Sequence, residues 1–213
     1  DAAAKAVNGV RQIVTLDDAV AVVADHMGAA KKGLAALTIE WDEGPHAKLA
    51  TADIARELEA ATTKPGAVAQ NIGDADNALA GAATKVEATY QLPFLAHATM
   101  EPMNCTVHVR PDGCEIWVGN QALSRVQAVT AKLLNLPPEK VVVHNHLLGG
   151  GFGRRLEVDG VIRAVQIARQ VDAPLKLVWT REEDIQHDMY RPYWCDRSEE
   201  HTSELQSLRD ISY

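Results

Sequence analysis

The sequence predicts a mixed fold of helices and strands, α/β in its second part, on three observations. Residues 114–179 alternate apolar runs of strand length with amphipathic stretches of helix length, in the order strand, helix, strand, loop, helix, strand. That order packs helices on a sheet. The tetrapeptide RPDG at 110–113 lies between two alternating runs and marks a hairpin. Hydrophobic residues make up 46% of the 213, enough to bury a core and unlike a disordered composition.

The elements follow in chain order. Residues 10–15 and the apolar run 19–24 read as strands. Met27, Ala30, Leu34 and Leu37 recur at helical spacing. Residues 38–41 read as a further strand, closed by the turn signal DEGP at 42–45. A helix is expected over 52–60, started by Thr51 or Asp53. Residues 62–76 are rich in Gly, Pro, Asn and Asp and read as a linker. Strands are then expected at 82–91, 104–109 and 114–118. A helix over 123–136 presents Val126, Val129, Leu133 and Leu136 near one face and is stopped by Pro137 and Pro138. A strand at 140–148, a glycine-rich loop at 149–153, a helix over 156–170 and a strand at 175–179 complete the pattern. The boundaries so read are 1–45 for a first unit, 46–81 for a linker and 82–196 for a second unit.

Composition excludes several classes. Net charge is -8 with no basic run, which argues against nucleic acid as the main partner. No apolar stretch reaches the roughly 18 residues of a membrane span. Cys105, Cys114 and Cys195 form no CxxC pair, so zinc or iron–sulfur ligation within the chain is not expected. Cys105 and Cys114 are either bridged across the hairpin or ordinary buried thiols; spacing does not decide, and buried thiols are the commoner case. Asp1 is not a start methionine and residues 2–6 read like the middle of a helix, so further sequence is expected upstream. Residues 197–207, RSEEHTSELQS, resemble a translated sequencing-library adapter, and 197–213 are expected to be a non-native tail.

Four segments could carry chemistry. The first is LLGGGFGRR at 147–155. Gly149, Gly150 and Gly151 remove three adjacent β-carbons at a strand-to-helix connection, so a ligand or another backbone can approach closely. Closest approach is expected at Gly151. Phe152, Gly153 and Arg154 continue the loop, Arg154 and Arg155 add cations, and a following helix N-terminus would favour an anion such as phosphate. A tight turn shaped only by packing accounts for the same residues equally well. The fingerprint GxGxxG would need glycine where Arg154 stands, and the GK[ST] of a P-loop is absent. The second segment is LAHATMEP at 95–102, where His97 and Glu101 are four apart and could pair on a helix face, although Pro93 and Pro102 confine any helix to under two turns and a loop reads equally well; a metal site would need more ligands than these two. The third is WVGNQ at 117–121: Gln121 ends a strand where ligands meet sheets, while Asn120 is equally suited to cap a helix. The fourth is WTREED at 179–184, on its own a solvated charge run.

Taken in order, AHATMEP, NQ, GGGFG and WTREED resemble the large, molybdopterin-binding subunits of xanthine oxidase-type molybdenum hydroxylases. The forms MEPMNC, GGGFGRR and YRP are most similar to the branch of isoquinoline 1-oxidoreductase beta subunits and bacterial aldehyde dehydrogenases. The resemblance covers about residues 5–194. It implies that 1–45 end a small hammerhead-like domain, that 82–196 begin a cofactor-binding domain, and that the chain is a fragment of a multi-domain subunit. It implies hydroxylation of N-heterocycles or oxidation of aldehydes at a molybdenum–molybdopterin centre, in the cytosine dinucleotide form, with water as oxygen source. A small subunit carrying 2Fe–2S centres would take the electrons, and a cytochrome is a candidate further acceptor. Gln121, Gly149, Gly150, Gly151, Phe152, Gly153 and Arg154 are the implied cofactor contacts. Gln121 matches the glutamine that hydrogen-bonds the molybdenum oxo group. Two departures stand out. Purine-oxidising members carry a glutamate where Leu156 stands, which argues against purines. The family's general-base glutamate has no counterpart; neither Glu101 nor Glu157 fills that role. The chain alone is therefore expected to be inactive, and periplasm and cytoplasm both remain open. A module that only holds a phosphorylated ligand, and a domain used only for subunit contacts, are the alternatives.

Overall fold

The computed structural model describes residues 1–68, 72–192 and 194–201, the last of these as backbone. The elements in order are α1 (Ala2–Lys5), β1 (Val10–Thr15), β2 (Val20–Ala24), α2 (Met27–Ala35), α3 (Thr51–Thr62), α4 (Ala75–Gly81), β3 (Lys85–Leu92), β4 (Asn104–Arg110), β5 (Gly113–Val118), α5 (Leu123–Leu134), β6 (Val141–Asn145), α6 (Asp159–Ala168), β7 (Leu175–Val178), α7 (Arg181–Gln186) and β8 (Trp194–His201).

Two compact units interleave along the chain. The first comprises residues 1–42 and 96–189, the second 43–95 and 190–213. The first unit is built on a four-stranded sheet in the order β6-β5-β4-β7. Strands β4 and β5 form the expected hairpin, with Arg110 opposite Gly113. β5 and β6 are parallel, joined through α5, and β7 pairs antiparallel with β4. The mixed class read from the sequence is the class observed.

Strand alternation explains the core. Cys105 and Val107 on β4 and Cys114, Ile116 and Val118 on β5 point to one face. On that face they meet the stripe Val161, Ala164, Val165 and Ala168 of α6 and Val126 of α5. Val14, with Leu16, Ala21 and Val23 around it, joins the same cluster, so the β1–β2 hairpin belongs to this unit. Both Cys105 and Cys114 are free buried thiols, and burial pushes them up to about 12 and about 11. The side chain of Cys195 lies outside the described residues.

Local chemistry sets the helix ends. His26 Nδ1 accepts the Ala29 N–H at 3.2 Å ahead of α2, and Thr180 Oγ1 accepts the Glu183 N–H at 3.2 Å ahead of α7. Asp53 accepts the Ala50 N–H at 2.8 Å, fixing the start of α3. Asn135 closes α5 in the left-handed conformation, φ 52°, before Pro137.

Three expectations are corrected. Residues 38–41 form no strand: among the described residues β1 and β2 pair only with each other, and a run of strand-like residues without a partner leaves its backbone unladdered. The segment 46–81 read as a linker ends in a helix, α4, started by Asp74 accepting the Asn77 N–H at 3.1 Å. The helix expected from residue 156 begins at Asp159, after a 3₁₀ turn, Arg154–Leu156.

In the second unit, β3 and β8 form an antiparallel ribbon from Lys85 opposite His201 to Leu92 opposite Trp194. Of the tail expected from residue 197, the backbone of 197–201 continues β8; residues 202–213, and 69–71 of the linker, lie outside the described residues.

Candidate functional site

Parallel neighbours β5 and β6 end at the same edge of the sheet. The connections that follow them, 119–122 and 146–158, lie against each other there: the Gln121 N–H donates to Arg155 O at 2.9 Å, and His146 N–H to Val118 O at 3.0 Å. The carboxyl edge of parallel strands is where α/β sheets place ligands.

The glycine run is held from the segment 97–104. Glu101 N–H donates to Gly149 O at 3.0 Å, and Gly149 N–H returns a bond to Glu101 Oε2 at 2.9 Å. A β-carbon at Gly149 would stand 2.4 Å from Glu101 Cβ, so glycine there is a steric requirement. Burial raises the Glu101 pKa, yet donation from Asn104 and Gly149 outweighs it and leaves the carboxyl below its ordinary value.

Positive φ falls at Gly150 (108°) and Gly153 (92°), and at Phe152 (51°), a residue that adopts it at a cost. Gly151 is not among them. A β-carbon at Gly151 would meet the end of the Gln121 side chain, 2.8 Å from Oε1. The structure therefore brings Gln121 against Gly151, but the backbone conformation that demands glycine belongs to Gly150 and Gly153. Phe152 is 66% exposed and Leu147 97% exposed.

The two arginines face inward. Arg154 is 4% exposed; its guanidinium grips Asp159 with two bonds of 2.7 Å, and Nε lies 2.5 Å from Asp188 Oδ1 in ionic contact rather than an aligned hydrogen bond. Burial lowers the Arg154 pKa, but Asp159 and Asp188 outweigh it and hold it above the ordinary value. Arg155, 1% exposed, donates to Glu101 O at 2.7 Å and Pro102 O at 3.2 Å, and burial pushes its pKa down. Arg154 was expected to present a cation to a ligand; its charge is instead met by two carboxylates. Asp159, in the first turn of α6, likewise occupies the helix N-terminus expected to receive a phosphate.

His97 and Glu101 do not pair as their spacing suggested. Residues 97–102 form no helix, Ala98 having φ 44°, and His97 turns to Asp188, with Nδ1 3.0 Å from Oδ2. Asn120 does not cap α5, whose N-cap is Ala122 without a side-chain bond; its side chain instead holds the turn before the helix, Oδ1 accepting the Ala122 N–H at 2.7 Å and Nδ2 donating to Glu157 O at 3.3 Å. Sequence reasoning passed over Asp159 and Asp188. Their only signal is a carboxylate beside a helix end, and the partner of Asp188 lies 91 residues away in the chain. Among the described residues no group of three or more His, Cys, Asp or Glu side chains could hold a metal ion directly.

A family model described as the molybdopterin cofactor-binding domain matches residues 59–195. The chain belongs to that family. It is 33% identical over 201 residues to the "Membrane-bound aldehyde dehydrogenase [pyrroloquinoline-quinone]" of Gluconacetobacter polyoxogenes, covering 90% of this chain and 26% of that protein. To the beta subunit of isoquinoline 1-oxidoreductase from Brevundimonas diminuta it is 28% identical over the same shares. The chain thus spans about a quarter of the length of these relatives. Among solved structures, quinoline 2-oxidoreductase from Pseudomonas putida 86 matches with a TM-score of 0.71 at 18% identity, over 93% of this chain and 31% of the other, a likeness of fold. The family read from the four motifs is the family found.

Proposed function

We propose that residues 97–102, 119–121 and 149–155 form part of a molybdopterin site in an oxidoreductase that hydroxylates N-heterocycles or oxidises aldehydes. One observation carries the reading: in a chain of this family, a connection with three side-chain-free residues lies at the carboxyl edge of parallel strands, with the Gln121 carboxamide against Gly151. Gly149, Gly150 and Gly151 would let Glu101, Thr99 and Gln121 close on the connection, and Phe152 and Gly153 would offer a bulky ligand access to backbone. Gln121 Nε2 would donate to a ligand oxygen, as an oxyanion-hole donor does. Arg154 would hold the connection rather than touch the ligand. The β-carbons missing at Gly149, Gly150 and Gly151 would meet Glu101, Thr99 and Gln121, whereas Gly153 has open space beside it, so a ligand would reach the connection at Gln121, Phe152 and Gly153. When bound, the molybdenum centre supplies hydroxylation with water as oxygen source.

The names "aldehyde dehydrogenase" and "isoquinoline 1-oxidoreductase" support aldehydes and N-heterocycles as substrate classes, and Leu156 argues against purines. Two relatives, of isoquinoline 1-oxidoreductase and of nicotinate dehydrogenase, are each named as one subunit of their enzyme. Those names support a partner subunit here, for which we propose one carrying 2Fe–2S centres, with a cytochrome beyond it. The cytosine dinucleotide form of the cofactor is proposed on the resemblance alone. No residue of this chain matches the family's general base, so residues 1–213 alone should not turn over.

The test is to purify the complete protein with its partners and assay molybdenum together with the fluorescent oxidation products of a pterin. Both are expected near one per protein. Bound quinone without molybdenum, as the name of the aldehyde dehydrogenase relative would suggest, overturns the reading, and so does the absence of both.

A further inference from the structure

We propose that Asp188 is a positioning residue that fixes the glycine connection; the consequence for cofactor retention rests on the function proposed above. Asp188 follows α7, and its side chain is 2% exposed. Its two oxygens serve different segments. Oδ2 accepts the His97 backbone N–H at 2.5 Å and faces His97 Nδ1 at 3.0 Å. Oδ1 meets Arg154 Nε at 2.5 Å, while the other guanidinium nitrogens of Arg154 hold Asp159 on α6. One carboxylate thus ties together the segment beneath the glycines, the end of the connection and, through Arg154, the start of α6.

The tie reaches the exposed backbone directly. Arg154 N–H donates to Gly151 O at 2.9 Å, which closes the turn over Phe152 and Gly153, both at positive φ. Displacing Arg154 would displace that turn. Two further groups border the network: Asp184, which accepts the Met103 N–H at 3.3 Å and pairs with Arg181, and Arg155 on the carbonyls of Glu101 and Pro102. A buried ion network is a weak way to gain stability, because desolvation consumes most of the attraction, but a directional way to fix one arrangement.

The variant is Asp188→Asn in the complete protein. The carboxamide oxygen still accepts from His97, but the charge facing Arg154 is gone. Amide hydrogen exchange at 149–156 is read in protein stripped of cofactor, and molybdenum content in protein as purified. Val165→Ala, a truncation in the fully buried face of α6, is the control for lost stability alone. Exchange across 149–156 should rise in Asp188→Asn and not in Val165→Ala. Molybdenum content of the protein as purified should fall in Asp188→Asn and not in Val165→Ala. Unchanged exchange, or the same rise in the control, overturns the proposal. A rise confined to Asp188→Asn in a protein that never holds molybdopterin supports the positioning role and fails the cofactor reading instead. Should Asp188→Asn not fold, Arg154→Lys decides by the same readouts, since one ammonium cannot replace a fork that spans two carboxylates.

Discussion

Two connections leave the same edge of the sheet, and they are built on opposite principles. After β5, residues 119–122 reach α5 directly, and buried Asn120 satisfies their turn from within. After β6, residues 146–158 intervene, well beyond the usual two to six residues of a strand-to-helix loop. This longer connection contains Gly150, Phe152 and Gly153 at positive φ and leaves Leu147 and Phe152 exposed. Its shape is imposed from outside, by Glu101 on Gly149, by Arg155 on the carbonyls of 101 and 102, and by Asp188 on Arg154. A turn that only reverses the chain needs none of this. Backbone strain persists where surrounding contacts over-determine it, and such places cluster at functional sites.

Removing the outside support should have the largest effect. Arg154→Met leaves Asp188 buried and Asp159 half-buried without their cation. Breaking one partner out of a buried pair costs about 3–5 kcal/mol. Urea unfolding of the complete protein would read this as a lower midpoint with an unchanged slope. A loss within the roughly ±0.5 kcal/mol of a surface substitution would mean that the long connection supports itself, as the short one does.

Gly149→Ala sharpens the comparison at a smaller scale. The added β-carbon falls 2.4 Å from Glu101 Cβ and 3.3 Å from Glu101 N, neither of which is the end of a flexible chain. Overpacking of this kind costs about 1–3 kcal/mol. At Gly151 the same substitution meets only the end of Gln121, which can turn aside. Unfolding midpoints should therefore separate the two alanine variants, with Gly149→Ala the less stable. Equal midpoints would show that the Glu101 segment yields and does not clamp the loop.

The same contrast governs what could be read from the sequence. The hairpin at 110–113 and the helix stop at Pro137 follow from short-range rules, and the structure has them, whereas the helix cap read at Asn120 became a turn bond to Ala122 ahead of the helix. The family was legible because four short motifs kept their order. The loop was legible as a glycine run but not in detail: GGGFG offers four glycines, and contacts from Thr99, Glu101 and Gln121, far away in sequence, decide which of them carries strain and which a steric limit. Asp188 was invisible for the same reason, since an aspartate after a short helix acquires meaning only when the fold brings His97 and Arg154 to it. The expected strand at 38–41 failed through the converse: its composition suits a strand, but among the described residues no neighbouring strand pairs with it.

The smallest effect on stability is expected where the two connections meet. Gln121 belongs to the short connection by its backbone and to the long one by its side chain, which lies against Gly151. The residue is exposed, so Gln121→Ala uncovers little apolar surface, and stability should stay within about ±0.5 kcal/mol. If the carboxamide donates to a ligand oxygen, its loss should appear in turnover. The complete protein should keep its molybdenum while turnover falls by about a hundredfold, the order seen when one oxyanion-hole donor is removed. A variant that kept both would show that the carboxamide merely fills the space left by Gly151. A variant that lost molybdenum in step with turnover would show that Gln121 helps to hold the ligand, and the division of labour between a short connection that tunes and a long one that holds would have to be given up.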